Sequence, residues 1–409
     1  MEVLKEAKMD VKDNIKGVLR KAPRIYRLCA CWAQTRLIEK EQLYYEQKAV
    51  ELGLSRDFSI KEIKQQLKEK LSKRNIFIKP KLKEDLHIVY ALPDESYWNT
   101  LHIVPALKEF ATVTTYCYSE YGFNDNMHGW LPVRDKMNSH FMDFIKQLHK
   151  KKHIDLILTY FAGKHVYCST VESLNNMGIV TAASHYDDRL YFRGRLEGGC
   201  WSGPVDVCKF YDLNLTQAPE SLIKYRVEGG IAMLWPLAAN QGFFYPRGTP
   251  FHYDVSFVGT AKASRRHFIE YLFKKGIKVE TFGAGWHNGT ISNEKVPEIF
   301  SSSKINLNFG NIGHTPHQCG KCRDFEIPMS GGLMLTTHNE HLADCFELNK
   351  DIFTFRNKEE CLEQIHRLLA DEALCERARK NARERALKEH TWEQRIKSLL
   401  QVMGYIQQE

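Results

Sequence analysis

No stretch of this sequence is long and apolar enough to cross a bilayer. None approaches the roughly 20 uncharged residues that a spanning helix needs. The chain also lacks internal repeats and low-complexity tracts, which excludes repeat and linker-dominated architectures. Its 11 cysteines are odd in number and scattered, and no secretory leader precedes them. Reduced thiols of a cytoplasmic protein are therefore expected rather than a disulfide framework, with peripheral membrane attachment left open. Aromatic residues do not interleave with the basic ones, so no nucleic-acid partner is expected. What is present suits an ordinary enzyme. At 409 residues and 43% hydrophobic, the chain is long enough for two packed domains and an extension.

Charge is unevenly spread. Residues 1–80 carry a net +8, equal to that of the whole chain, so residues 81–409 are neutral. Within this basic extension Ile60, Ile63, Leu67 and Leu71 recur at helical spacing, with Lys61, Lys64, Lys68 and Lys70 on the other faces. Pro80 marks its end. Two readings stand side by side. The face meets an anionic partner or membrane surface, or it is a solvated helix packed on the body or pairing with a second chain.

From residue 85 short apolar strands alternate with helices: strands at 86–92, 111–116, 154–160, 178–183 and 213–216, and a helix at 141–149. A second alternation runs from 255 to 355, followed by helices at 359–386 and 392–406. The pattern predicts α/β domains with parallel sheets covered on both faces. The domains expected are a basic helical extension (1–80), a Rossmann-like domain (81–247), a second one (248–390) and a closing helix (391–409).

The most informative segment is Arg323-Asp324-Phe325-Glu326-Ile327-Pro328-Met329-Ser330-Gly331-Gly332, placed directly ahead of an apolar strand. A carboxylate at Glu326 can accept from ribose hydroxyls. Ser330, Gly331 and Gly332 offer a small-residue turn whose amides can approach a diphosphate, and Arg323 lies one helical turn before Glu326. The same residues also read as a plain turn after a solvated helix. Ligands of open α/β sheets sit beyond the C-terminal ends of strands. Gly259 ends one strand and is followed by Lys262, Arg265 and Arg266, while Gly283 ends the next. Such cations could neutralise a diphosphate. His185-Tyr186-Asp187-Asp188 and Pro93-Asp94-Glu95-Ser96 follow strands of the first domain. There Asp187 or Asp188 could orient an acceptor or act as a base, or merely cap a helix.

Taken with Phe257-Val258-Gly259, Asn306-Leu307-Asn308-Phe309 and His390-Thr391-Trp392-Glu393, the segment resembles the CgeB-like glycosyltransferases, relatives of the retaining family 4 enzymes with two facing Rossmann-like domains (GT-B). The resemblance covers roughly the last 175 residues well and fades towards the N-terminus. It implies transfer of a sugar from a nucleotide-diphosphate donor, by family custom UDP-linked, to an unidentified acceptor with retention, and no cofactor. It places Glu326 on the ribose and a basic residue, Lys262 or Arg265, on the diphosphate. The family's first Glu is replaced by Gln318, which would meet the donor sugar as an amide, and its usual linker Asp by Asn240. Lys321 adds charge for phosphate. The alternatives are a degenerate binder of a sugar nucleotide or glycan and a sugar-nucleotide epimerase. His314, His317, Cys319 and Cys322 also read as His-x2-His-x-Cys-x2-Cys, but the spacing is tighter than in usual zinc modules and no metal is expected.

Overall fold

The computed structural model describes residues 23–407 except 56–58, 95–98, 126–129 and 314. Two helices come first, α1 (Pro23–Glu51) and α2 (Ile60–Ser72). The Ser59 side chain accepts from the Glu62 N–H to start α2, which buries Ile63, Leu67 and Leu71. Six parallel strands then form the first sheet: β1 (His87–Leu92), β2 (Thr112–Cys117), β3 (Leu156–Thr159), β4 (Val180–His185) and, after a small hairpin of β5 (Leu196–Glu197) and β6 (Cys200–Trp201), β7 (Leu213–Thr216) and β8 (Ala232–Leu234). Helices α3 (Val104–Lys108), α4 (Trp130–Lys151), α5 (Cys168–Asn176), α6 (Asp188–Tyr191) and α7 (Leu222–Val227) connect them. Their order across the sheet is β2-β1-β3-β4-β7-β8. β1 is buried along its whole length, as a continuous apolar run covered on both faces must be.

The second sheet is also parallel, in the order β10-β9-β11-β12-β13, with β9 (Tyr253–Val258), β10 (Val279–Phe282), β11 (Ser303–Asn308), β12 (Met334–Thr337) and β13 (Phe353–Phe355). Helices α8 (Ala263–Lys274), α9 (Lys295–Ser301) and α10 (Arg323–Met329) link its strands, and α11 (Lys358–Ala370), α12 (Glu372–Glu389) and α13 (Trp392–Met403) follow. The molecule is thus two Rossmann-like units. Strand order reverses between β1 and β3 in one sheet and between β9 and β11 in the other, which opens a crevice at the C-terminal end of each.

The single helix expected at 359–386 is two, because the Asp371 carboxylate accepts from the Leu374 N–H and starts a new helix. The last helix stops at Met403, where Gly404 adopts φ 92°. It packs on α2 and α3, beside the first sheet. Trp392 is fully buried there, edge-on to Trp235 at 5.4 Å, and Trp235 Nε1 donates to the Arg395 carbonyl.

The basic N-terminal helices are packed on the body. Buried Lys224 meets Glu41 at 2.8 Å, the Tyr45 hydroxyl donates to Glu228 at 2.7 Å, and Arg226 pairs with Glu62. Arg74 pairs with Asp212 at 2.7 Å, and Lys70 donates to the Lys209 and Tyr211 carbonyls.

Candidate functional site

The C-terminal ends of the two sheets face each other. Between them lies a cavity of about 270 Å³ lined by Tyr160, Tyr186, Asp187, Gln217 and Leu237 from one side and Gly320, Lys321, Cys322 and Arg323 from the other. A second cavity of about 330 Å³ adjoins it on the first sheet's side, sharing Tyr160, Tyr186 and Asp187 and adding Asp94, Lys164, His165 and Tyr191. A third, of about 440 Å³, opens at the ends of β11 to β13 and is lined by Arg265, Phe309, Gln318, Thr337 and His338.

Four cations converge on the second sheet's wall. Gly283 has φ 121°, and a Cβ there would stand 2.6 Å from the Gly259 carbonyl, so the turns after β9 and β10 can approach closely only with glycine. That approach carries the chain into α8 and presents Lys262 and Arg265. Arg265 is buried, donating to the Thr260 and Phe309 carbonyls at 3.1 and 3.3 Å. Burial, then the nearby Arg323, pushes its pKa down to about 10. Lys262 is also held below the ordinary lysine value, by partial burial of its ammonium, then by Arg265 and Lys321, against the opposing pull of Asp187. Arg323 begins α10 and donates to Asn308 Oδ1 at 3.4 Å, while the Lys321 ammonium donates to Cys319 Sγ at 2.9 Å. Among the described residues none of the four is ion-paired to a carboxylate. Clustered cations without counter-charge raise one another's cost of ionisation, and a bound polyanion relieves it.

Asp324 organises this wall from beneath. Its carboxylate accepts from Asn308 Nδ2 at 2.6 Å and from the Lys321 N–H at 2.7 Å, and burial pushes its pKa up to about 6. Sequence reasoning passed over Asn308, although a polar residue closing an apolar strand was a signal.

On the opposite wall Asp187 is exposed at the start of α6 and caps nothing with its side chain. Asp188 differs. It is buried, accepts from the Tyr225 hydroxyl at 2.7 Å, and its pKa is pushed up to about 6 by burial. Asp188 thus braces α6 on α7 while still lining the inner side of the 330 Å³ cavity, whereas Asp187 is exposed to both cavities of the cleft. Asp94 is exposed after β1, while Glu95 and Ser96 lie outside the described residues.

The remaining sequence candidates are engaged by contacts within the protein. Glu326 is 1% exposed, and its carboxylate accepts from His102 Nε2 at 3.1 Å across the interface between the two units. His102 is buried, stacks on Phe244 and accepts at Nδ1 from the Asn240 N–H at 3.1 Å. The expected ribose contact is thus occupied by an interdomain one, and His102 had no sequence signal. Ser330, Gly331 and Gly332 lie at the far end of α10, ahead of β12, and so at the edge of the sheet opposite the cleft. Their polar groups are already engaged. Ser330 Oγ donates to the Glu326 carbonyl, and the Gly331 and Gly332 amides donate to the Pro328 and Ile327 carbonyls. A Cβ at Gly332 would stand 2.8 Å from the Phe300 carbonyl, so this glycine serves close packing. Gln318 accepts from the Thr337 hydroxyl at 2.7 Å and donates to the Pro316 carbonyl at 2.9 Å. Arg266 and Trp286 pack on each other, and Trp286 Nε1 donates to the Gly259 carbonyl at 2.7 Å.

His314 lies outside the described residues. Among the described ones no group of three or more His, Cys, Asp or Glu is arranged for a metal ion. Burial raises the pKa of Cys319 and Cys322, which keeps both as thiols. No described helix is long and apolar enough to cross a membrane.

Further contacts join the walls. Arg189 of α6 donates to the Gln318 carbonyl at 2.6 Å and pairs with Glu220 at 2.8 Å, and Glu220 meets His341 at 3.1 Å. Ile38 of α1 packs with Leu190, Ile312 and Cys319.

Residues 264–401 match the family model described as "Glycosyl transferase-like". No curated protein is matched by sequence. Among solved structures, the chain is similar to a glycosyltransferase from Rickettsia africae, with a TM-score of 0.56 at 12% identity, covering 78% of this chain and 98% of that one. It is also similar to sucrose-phosphate synthase from Thermosynechococcus elongatus, with a TM-score of 0.53 at 13% identity over 77% and 98% of the two chains. HepE from Anabaena, solved with UDP and glucose, gives a TM-score of 0.54 at 10% identity over 78% and 100%. At these identities the likeness is one of fold, the two-domain GT-B arrangement.

Proposed function

We propose that this protein is a glycosyltransferase that moves a sugar from a nucleotide-diphosphate donor to a hydroxyl acceptor, and that it is CgeB-like in type. The observation that carries the reading is the cluster of Lys262, Arg265, Lys321 and Arg323, without a carboxylate ion pair among the described residues, facing Asp187 across the cleft. UDP is the nucleotide proposed, in line with the UDP bound by HepE. In this reading the cations hold the diphosphate and the sugar lies in the 270 Å³ cavity. The acceptor enters through the 330 Å³ one, past Asp94 and the tyrosines.

The bond from the anomeric carbon to the diphosphate oxygen breaks as the acceptor oxygen bonds to that carbon. The acceptor proton passes to the departing diphosphate, with retention, and Asp187 orients the hydroxyl. Fixed cations aimed at the growing negative charge supply most of the rate, with no other cofactor required.

The test is acceptor-dependent release of UDP from a panel of UDP-sugars. Arg323→Ala and Lys262→Ala should each lower turnover on the order of 100-fold. Glu326→Gln, which keeps an oxygen for His102, should stay within a few fold of wild type. Wild-type turnover in both cation variants would sink the reading. Gln318, held by Thr337 where the family's first Glu is expected, favours a second reading as a binder without catalysis. UDP-sugar binding without acceptor-dependent release would identify it.

A further inference from the structure

A groove of about 510 Å³ lies far in sequence from the cleft residues, where α2, the segment 76–80 and the end of α13 meet. Its floor is apolar: Leu67, Leu71, Val402 and Met403 are buried, and Ile76, Ile78 and Ile406 are partly buried at its sides. Its rim carries Lys64, Lys68 and Lys79.

The basic residues of this region fall into two sets. Lys70, Arg74 and Lys81 are spent on the body, on the Lys209 and Tyr211 carbonyls, on Asp212 and on Asp155. Among the described residues Lys64, Lys68 and Lys79 have no carboxylate partner. Phe77 at the groove stands in water at 68% exposure, and Leu82, two residues past the groove's last lining residue on this segment, at 70%, followed by exposed Lys83, Glu84 and Asp85. Glu69, also exposed on α2, accepts from Gln65 and keeps its charge, so the lysines outnumber rather than exclude acids on this side. An apolar trough rimmed by free ammonium groups matches a partner with negative heads over apolar tails. A neutral surface would leave the lysines unanswered, and a soluble polyanion would leave Phe77 and Leu82 in water.

We infer that this groove is a docking face for an anionic bilayer, with Lys64, Lys68 and Lys79 at the headgroups and Phe77 and Leu82 entering the acyl boundary. A Lys near such a surface draws on its potential within about a Debye length, so several acting together give reversible, salt-sensitive attachment. The inference does not depend on the chemistry of the cleft.

The experiment is co-flotation of the full chain with vesicles of phosphatidylcholine, with and without phosphatidylglycerol, over a range of salt. Binding is expected only with phosphatidylglycerol, and it should weaken as salt rises. Lys64→Ala, Lys68→Ala and Lys79→Ala combined should lower partitioning roughly 100-fold, and Phe77→Ser should lower it separately. All four positions are at the surface, and circular dichroism with thermal melting confirms that the variants fold. Absence of binding to anionic vesicles by folded wild type overturns the inference. So does a triple variant that binds like wild type. Loss on removing the lysines with no effect of Phe77→Ser overturns the groove as the seat, leaving general surface attraction. Concentration-dependent dimers abolished by Phe77→Ser would assign the groove to a second copy instead.

Discussion

Asp187 and Asp188 are adjacent in sequence and opposite in environment. One is exposed at the cleft; the other is buried beneath α6 against Tyr225, at the inner lining of the second cavity. Burial sets the sign of a pH effect. The Asp188 pKa rises from 3.8 to about 6 on folding, burial being the main cause. Below pH 4 the group is protonated in both states and costs nothing. Between pH 4 and 6 the unfolded chain releases its proton first, so stability falls, by up to about 3 kcal/mol for a shift of this size. Above pH 6 the loss is complete. Asp188→Asn removes this slope, so its stability relative to wild type should climb between pH 4 and 6 and then level off. Urea denaturation of both proteins across that range reads the difference directly, and parallel curves would show that Asp188 is not the buried acid described here. The comparison between variants is needed because His185, pushed down to about 3 by burial, has the opposite slope across the whole of that range.

At the scale of elements, α13 joins the end of the chain to the first unit. A Thr391–Gln394 capping box starts it, and Trp392 fills the space against Trp235. Trp392→Ala should cost about 3–5 kcal/mol, by the measure of other buried aromatic truncations, and show as a lower urea midpoint. Thr391→Ala, which removes only a cap, should cost about 1 kcal/mol. Equal losses would mean that the capping box rather than the packing holds the helix.

Much at this scale was legible in the sequence. The strand read at 213–216 is β7 itself, and the one at 86–92 differs from β1 by one residue; β1 is a nearly unbroken apolar run, and β7 a short apolar–polar alternation. What a local pattern does not reveal is which edge of a sheet a turn occupies. Gly331-Gly332 has the composition of a phosphate turn, yet a turn that enters a parallel strand stands at the edge away from the ligand crevice. Lys262 and Arg265 follow β9 and so stand at the correct edge. The roles of Lys70, Arg74 and Lys224 were hidden for a different reason. Their partners are 138 to 183 residues away, beyond any local count of charge.

For the whole molecule, the two units are held face to face by contacts of different kinds. His102–Glu326 is buried, whereas Arg189–Glu220–His341 is only partly screened from water. The cleft between them sets four cations against the exposed Asp187, an arrangement that favours a ligand carrying several negative charges. Such a ligand binds the folded state alone and must stabilise it, by about 2.7 kcal/mol when its concentration is 100 times its dissociation constant. UDP should therefore raise the melting temperature. Since much of its attraction comes from Lys262 and Lys321, which solvent reaches, the shift at fixed UDP should shrink as salt rises. Uridine, without phosphates, should give little shift at any salt. Combining Lys262→Ala with Arg323→Ala should abolish the UDP shift, while Glu326→Gln should preserve it. If the shift instead survives the double cation variant and disappears with Glu326→Gln, then Glu326 leaves His102 to meet the ribose. The unliganded contact between them would then be a latch that the nucleotide opens, and the two units would have to move apart for it to enter.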